Sequence, residues 1–87
     1  MSSKKILAFY LEGCPYCRQA RKAVDELGGA DIEWVEETQH PEISERYDYY
    51  YVPSMFVDGV KVYEAKRGET YEECKANVKR VIDISAR

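Results

Sequence analysis

The hydrophobic pattern changes period at Gly13-Cys14-Pro15, and this change constrains the fold more than any other feature. Before it, Lys5 to Leu11 (KILAFYL) is almost wholly apolar and carries the β-formers Ile6, Phe9 and Tyr10. Such a run reads as a strand covered on both faces. After it, Cys17, Ala20, Val24 and Leu27 recur at spacings of three and four, with Arg18, Arg21, Lys22, Asp25 and Glu26 on the other faces. That is the period of an amphipathic helix. Pro15 suits the first helical turn, where its missing N–H costs nothing, and Gly28-Gly29 stops the helix. Ile32 to Glu36 (IEWVE) reads as a second strand. Two strands joined by a helical crossover make a βαβ unit with parallel strands.

Farther along, Pro41 opens a short helix in which Ile43 and Tyr47 share a face. The dense run Tyr47-Asp48-Tyr49-Tyr50-Tyr51 leads into Val52-Pro53. Ser54 to Val57 and Val60 to Glu64 are β-like and joined by Asp58-Gly59, a strong hairpin signal. Thr70-Tyr71-Glu72-Glu73 matches a capping box, in which a Thr cap is followed three residues later by Glu. The helix after it is expected to bury Tyr71, Cys74, Val78 and Val81, with Ile82 and Ser85 beside them. The order is β-α-β-α-β-β-α, an α/β chain. No repeat, linker or low-complexity segment interrupts it, and its 87 residues suit one domain, 1–87.

A chain this short buries only about 60% of its unfolded surface, so one core is feasible and a second domain is not. The net charge of −3 offers no basic stripe for nucleic acid. The longest apolar run, Ile6 to Leu11, is far below the roughly 20 residues that span a bilayer. It is also short for a signal-peptide core, and no small-residue cleavage site follows. The expectation is a soluble, cytoplasmic protein with no membrane or nucleic-acid partner. Structural disulfides are disfavoured in such a reducing compartment, and three cysteines are an odd number for a disulfide scaffold.

The pair Cys14-x-x-Cys17 therefore needs a chemical explanation. It sits between a buried strand and a helix N-terminus, where unpaired N–H groups and the helix dipole favour an anion. The thiolate is the reactive form of cysteine. Cys14, at the helix mouth, is the more exposed thiol. Cys17 lies one turn deeper on the same face and can attack a mixed disulfide formed on Cys14. Arg18, Arg21 and Lys22 add positive potential, although they point partly away. Two other readings stand beside this one. The cysteines can be core filler, or they can belong to a zinc site, which needs four ligands, usually as two close pairs. For the latter only His40 and Cys74 remain. Cys74 falls on the apolar face of the last helix, where free cysteine acts as a small hydrophobe, and His40 reads as a loop or cap residue.

The element order, CPYC at the first strand–helix junction and VPSMFVDG opening the hairpin together resemble the glutaredoxins of the thioredoxin superfamily. The resemblance covers nearly the whole chain. It implies a thioredoxin-like fold, with a four-stranded mixed sheet of order 2-1-3-4 flanked by three helices. It implies catalytic roles for Cys14 as nucleophile and Cys17 as resolving thiol. Val52-Pro53 is then a cis peptide beside Cys14, and Val52 pairs with the substrate backbone while Tyr16 flanks the groove. The implied activity is reduction of protein or small-molecule disulfides by a monomer with no bound cofactor. Glutathione or a flavin-dependent thioredoxin reductase would be the electron donor.

The chain departs from the family pattern at several positions. Leu11 stands where glutaredoxins carry a Lys that meets a glutathione carboxylate, and Tyr51 stands where many have Thr. The stretch Tyr63 to Thr70 lacks the glycine pair and acidic pair that hold the γ-glutamyl end of glutathione. Lys66, Arg67 and Arg46 are expected as solvated surface charges. Compared with thioredoxins, Ala8 replaces a buried Asp that moves protons, and Gly13 replaces a Trp. Proton transfer during resolution then needs water or another group. At least one tyrosine of 47–51 is expected to be exposed near Cys14, with alternate ones packed beneath the loop. Two further readings of the chain remain: an iron–sulfur or metal-binding module using Cys14, and a non-catalytic interaction domain.

Overall fold

The computed structural model describes residues 4–87. The elements follow the expected order: β1 (Ile6–Tyr10), α1 (Pro15–Glu26), β2 (Ile32–Glu36), α2 (Pro41–Ser44), β3 (Ser54–Val57), β4 (Val60–Glu64) and α3 (Tyr71–Ser85). They build a four-stranded sheet of order β2-β1-β3-β4. β1 runs parallel to β2 and antiparallel to β3, and β3 is antiparallel to β4. This is the mixed thioredoxin-like sheet that the resemblance implied.

β1 is one residue shorter at each end than the apolar run. Lys5 is exposed and reaches Glu33 at 2.6 Å. The Leu11 carbonyl accepts the Cys14 N–H at 3.3 Å, which turns the chain out of the sheet. α1 buries Cys17, Ala20, Ala23 and Val24, while Leu27 becomes its C-cap. Its exit needs left-handed backbone: Gly28 and Gly29 have φ of 98° and 84°, and the Gly29 N–H returns to the Val24 carbonyl at 2.8 Å. A β-carbon at either position would strain that conformation. α2 is a single turn that buries none of its residues. Tyr47 lies beyond its end, so Ile43 and Tyr47 do not share a helical face. Both still reach the same small core.

The central strands divide the core. On one face Ile6, Ala8, Met55 and Val57 meet Ala20, Ala23 and Val24 of α1 and Cys74, Val78 and Val81 of α3. The closest backbone packing of α1 is against α3, and α3 in turn lies across the central strands. On the other face Phe9, Val35 and Phe56 pack under Ile43, Tyr47, Tyr49 and Val52. Burying an aromatic or large aliphatic side chain contributes about 1.5–3 kcal/mol. α3 starts at the capping box: the Thr70 hydroxyl accepts the Glu73 N–H at 3.1 Å, and Glu73 accepts the Thr70 N–H at 2.9 Å. Its buried residues are Cys74, Val78, Val81 and Ser85, with Tyr71 and Ile82 at the margin. No helix among the described residues is long and apolar enough to cross a membrane.

Candidate active site

β1 ends, α1 begins and the loop before β3 arrives at the same end of the sheet. This convergence brings Cys14, Tyr16, Cys17, Val52 and Pro53 together. Cys14 is the N-cap of α1. Gly13, with φ of 79°, lets the chain leave β1 and present Cys14 at the helix mouth. Its Sγ accepts the Cys17 N–H at 3.2 Å and lies 3.8 Å from the Val52 carbonyl, to which the thiol donates. Cys14 is half-buried and Cys17 buried, and both are free thiols. The orphan N–H groups and positive end of α1 thus face the sulfur that can be approached from outside.

Burial pushes the Cys17 thiol up to about 12, assisted by the neighbouring Cys14 sulfur. The Leu11 backbone and the Arg21 charge pull the other way. Cys17 nevertheless touches solvent space: a cleft of about 420 Å³ is lined by Tyr10, Glu12, Cys14, Cys17, Arg18 and Arg21, among others.

The Val52-Pro53 peptide is cis. Pro53 is buried, and its carbonyl accepts the Ala65 N–H at 2.9 Å. Tyr16 occupies the first turn of α1, and its hydroxyl accepts the Gly68 N–H at 2.9 Å. This bond ties the β4–α3 loop to the cysteine motif. A groove of about 280 Å³ runs between Tyr16, Tyr51, Val52, Ala65, Lys66 and Arg67. The tyrosine run divides as expected. Tyr47 and Tyr49 pack on Phe9, with centroids 5.1 and 4.9 Å away. Tyr50 and Tyr51 are 84% and 56% exposed, and Tyr51 forms part of the groove wall. Lys66 and Arg67 are exposed, as expected of solvated charges, yet they also line the groove. Lys66 lies 3.7 Å from Glu73.

Three carboxylates that support the site were not singled out in the sequence. Glu64 accepts the backbone N–H groups of Tyr50 and Tyr51, the latter at 2.7 Å, and the Lys61 ammonium at 2.8 Å. Burial pushes its pKa up, but Lys61 and those two N–H groups outweigh burial and the net shift is downward. Glu36 bonds the Thr38 hydroxyl and the N–H groups of Glu12, Thr38 and Gln39, and these bonds hold its carboxyl below the usual range against burial. Glu69 is 4% exposed. It receives the Tyr63 hydroxyl and, at 3.3 Å, the Asn77 amide. Burial, then the bond to Glu69, raises the Tyr63 phenol. The one sequence signal for Glu69 was its position directly before the Thr70 cap.

Cys74 is fully buried, with the Tyr63 hydroxyl 3.5 Å from its sulfur. His40 caps α2 without a side-chain hydrogen bond. Among the described residues, no group of three or more His, Cys, Asp or Glu side chains is placed to hold a metal ion.

A family model described as a thioredoxin domain matches residues 4–69. Similar solved structures include a glutaredoxin from Brucella melitensis, at 18% identity and a TM-score of 0.61, with 97% of this chain and 94% of that chain covered. A mutant thioredoxin from Halobacterium salinarum matches at 19% identity and a TM-score of 0.60, covering 93% and 76%. A dimeric thioredoxin-like protein from Nitrosomonas europea matches at 22% identity and a TM-score of 0.58, covering 84% and 96%. At such identities these likenesses speak for the fold. No curated protein sequence matches the chain.

Proposed function

Because this chain belongs to the thioredoxin-domain family, we propose that it is a thiol–disulfide oxidoreductase in which Cys14 and Cys17 reduce protein or small-molecule disulfides by a dithiol mechanism. One observation carries the assignment of roles. The half-exposed Cys14 sulfur receives the Cys17 N–H at the mouth of α1, whereas the Cys17 thiol is buried one turn below. In the first step the Cys14 thiolate attacks one sulfur of the substrate disulfide. A Cys14–substrate disulfide forms and the other substrate sulfur leaves as a thiolate that takes up a proton. In the second step Cys17 attacks Cys14 Sγ, the mixed disulfide breaks, and the remaining substrate thiol departs from the oxidised protein.

The substrate lies in the groove between Tyr16 and Tyr51. Val52 offers backbone to an extended peptide, and Pro53 fixes the loop behind it. Pairing of this kind reads no side chain and suits a broad set of disulfides. The oxidised protein is re-reduced by glutathione or by a flavin-dependent thioredoxin reductase. Leu11 gives a glutathione carboxylate no charge, and Lys66 and Arg67 are the cations at the groove.

Cys14→Ser is expected to abolish disulfide-reductase turnover. Cys17→Ser is expected to stop turnover of protein disulfides and to accumulate a mixed disulfide on Cys14, visible by mass spectrometry under non-reducing conditions. Full activity in Cys14→Ser would sink the proposal. Comparing turnover with glutathione plus glutathione reductase against thioredoxin reductase plus NADPH identifies the donor.

A further inference from the structure

The resolving half of this reaction poses a problem of charge. Cys17 must become a thiolate while buried, and the strand residue beneath the helix is Ala8, which carries no ionisable group and is fully buried. The charged and titratable groups that share the cleft with Cys17 are Tyr10 from β1, Glu12 from the loop after it, and Cys14, Arg18 and Arg21 from α1. β2 contributes uncharged Trp34 against Arg21 and, behind Glu12, the Glu36 carboxylate, which accepts the Glu12 N–H.

Arg21 differs from an ordinary surface arginine. It follows Cys17 by four residues, so the two side chains stand one above the other on α1. Its Cζ lies 4.8 Å from the Tyr10 ring centroid and 4.3 Å from that of Trp34. The two rings meet edge to face, 81° apart, with centroids separated by 6.1 Å. The guanidinium therefore sits in the corner of two nearly perpendicular rings, each attracting a cation through its face. A free surface arginine spreads its charge over many rotamers. This one is held at the cleft that opens on Cys17.

We propose that Arg21 is a positioning residue for the resolving step: clamped over Tyr10 and Trp34, its guanidinium holds a fixed positive charge against which the Cys17 thiolate forms. This inference rests on the dithiol reading of Cys14 and Cys17. The Cys17 proton passes to water in the cleft. The resulting thiolate forms the Cys14–Cys17 bond as the Cys14–substrate bond breaks, and the departing substrate thiolate takes up a proton. No further oxidant or reductant is consumed.

The test separates the two steps with dithiodipyridine, an uncharged disulfide. Attack by Cys14 releases one chromogenic thiol, and resolution by Cys17 releases the second. The mixed disulfide is formed at acid pH and the solution is jumped to a series of higher pH values. In Arg21→Gln the second release is expected to be about three- to tenfold slower at neutral pH, with its pH midpoint about half to one pH unit higher, since one unit corresponds to a tenfold change in thiolate. Arg21→Lys, which keeps the charge, is expected to recover most of the rate. Added salt should slow the second release in the parent and have little effect in Arg21→Gln, because a charge near the surface is screened. An unmoved midpoint and an unchanged second release in Arg21→Gln overturn the proposal while leaving the dithiol reading intact. A second release that persists in Cys17→Ser, or is missing in the parent, defeats the dithiol reading and this proposal with it.

Discussion

The Cys17 thiol, pushed up to about 12 by burial and by the Cys14 sulfur beside it, links stability to alkalinity. In the unfolded chain a thiol titrates near about 8.5. Folding raises that value, so the folded protein keeps the proton where the unfolded chain has lost it. The stabilisation is whole below about pH 8.5 and is lost as pH climbs toward the folded value. Cys74 and Tyr63, both raised first of all by burial, act in the same direction. Urea melts of the reduced protein are expected to show stability falling from neutral pH to pH values above about 9. Cys17→Ala should flatten part of that slope, and a parent slope of zero would contradict this account. The placement of the cysteines was legible because Cys14 follows the end of β1 by four residues and Cys17 falls in the first turn of α1. Glu69 was not: an acidic residue in a loop reads as solvated until the fold shows Tyr63 and Asn77 converging on it.

Element boundaries followed the sequence where local signals agreed. β2, β3 and β4 begin and end where alternation and the Asp58-Gly59 turn place them, and Asp58 and Gly59 both have positive φ, 53° and 84°, as a tight hairpin requires. α2 fell short because Pro41 sets only a start. Beyond Ser44 the N–H groups of Arg46 and Tyr47 bond three residues back, a tighter winding that carries Tyr47 off the helical face. The resulting aromatic cluster is centred on Phe9, whose ring lies 5.8 Å from Phe56 as well as against Tyr47 and Tyr49. Phe9→Ala is expected to cost about 3–5 kcal/mol. That is a large share of the roughly 5–15 kcal/mol that holds a domain folded. It should appear as a lower urea midpoint at unchanged slope, and a loss below about 1 kcal/mol would mean that the cluster collapses to fill the space.

At the scale of the whole molecule, the site draws on segments that the sequence keeps far apart. The pairing of CPYC with Val52-Pro53 became legible through family resemblance, since nothing local to Val52 points at Cys14. The contacts that complete the groove were out of reach, because Gly68 meets Tyr16 across 52 positions of sequence and Glu64 meets Tyr51 across 13. Tyr16→Phe removes the acceptor for the Gly68 N–H. Amide exchange at residues 66–68 is expected to accelerate several-fold, as expected when a loop loses a tether, while the amides of β1 and β3 stay protected. Equal exchange in both proteins would show that the Tyr16 hydroxyl is not what tethers the loop. Cys14, Cys17 and the groove beside them lie where β1 ends and β3 begins. The Gly28-Gly29 and Asp58-Gly59 turns lie at the other end, where β2 begins and β3 ends. A fluorescent label or a surface-immobilisation tag introduced beside Gly29 would therefore leave the cysteines facing solution, which turns the fold's polarity into a practical handle for building a disulfide sensor.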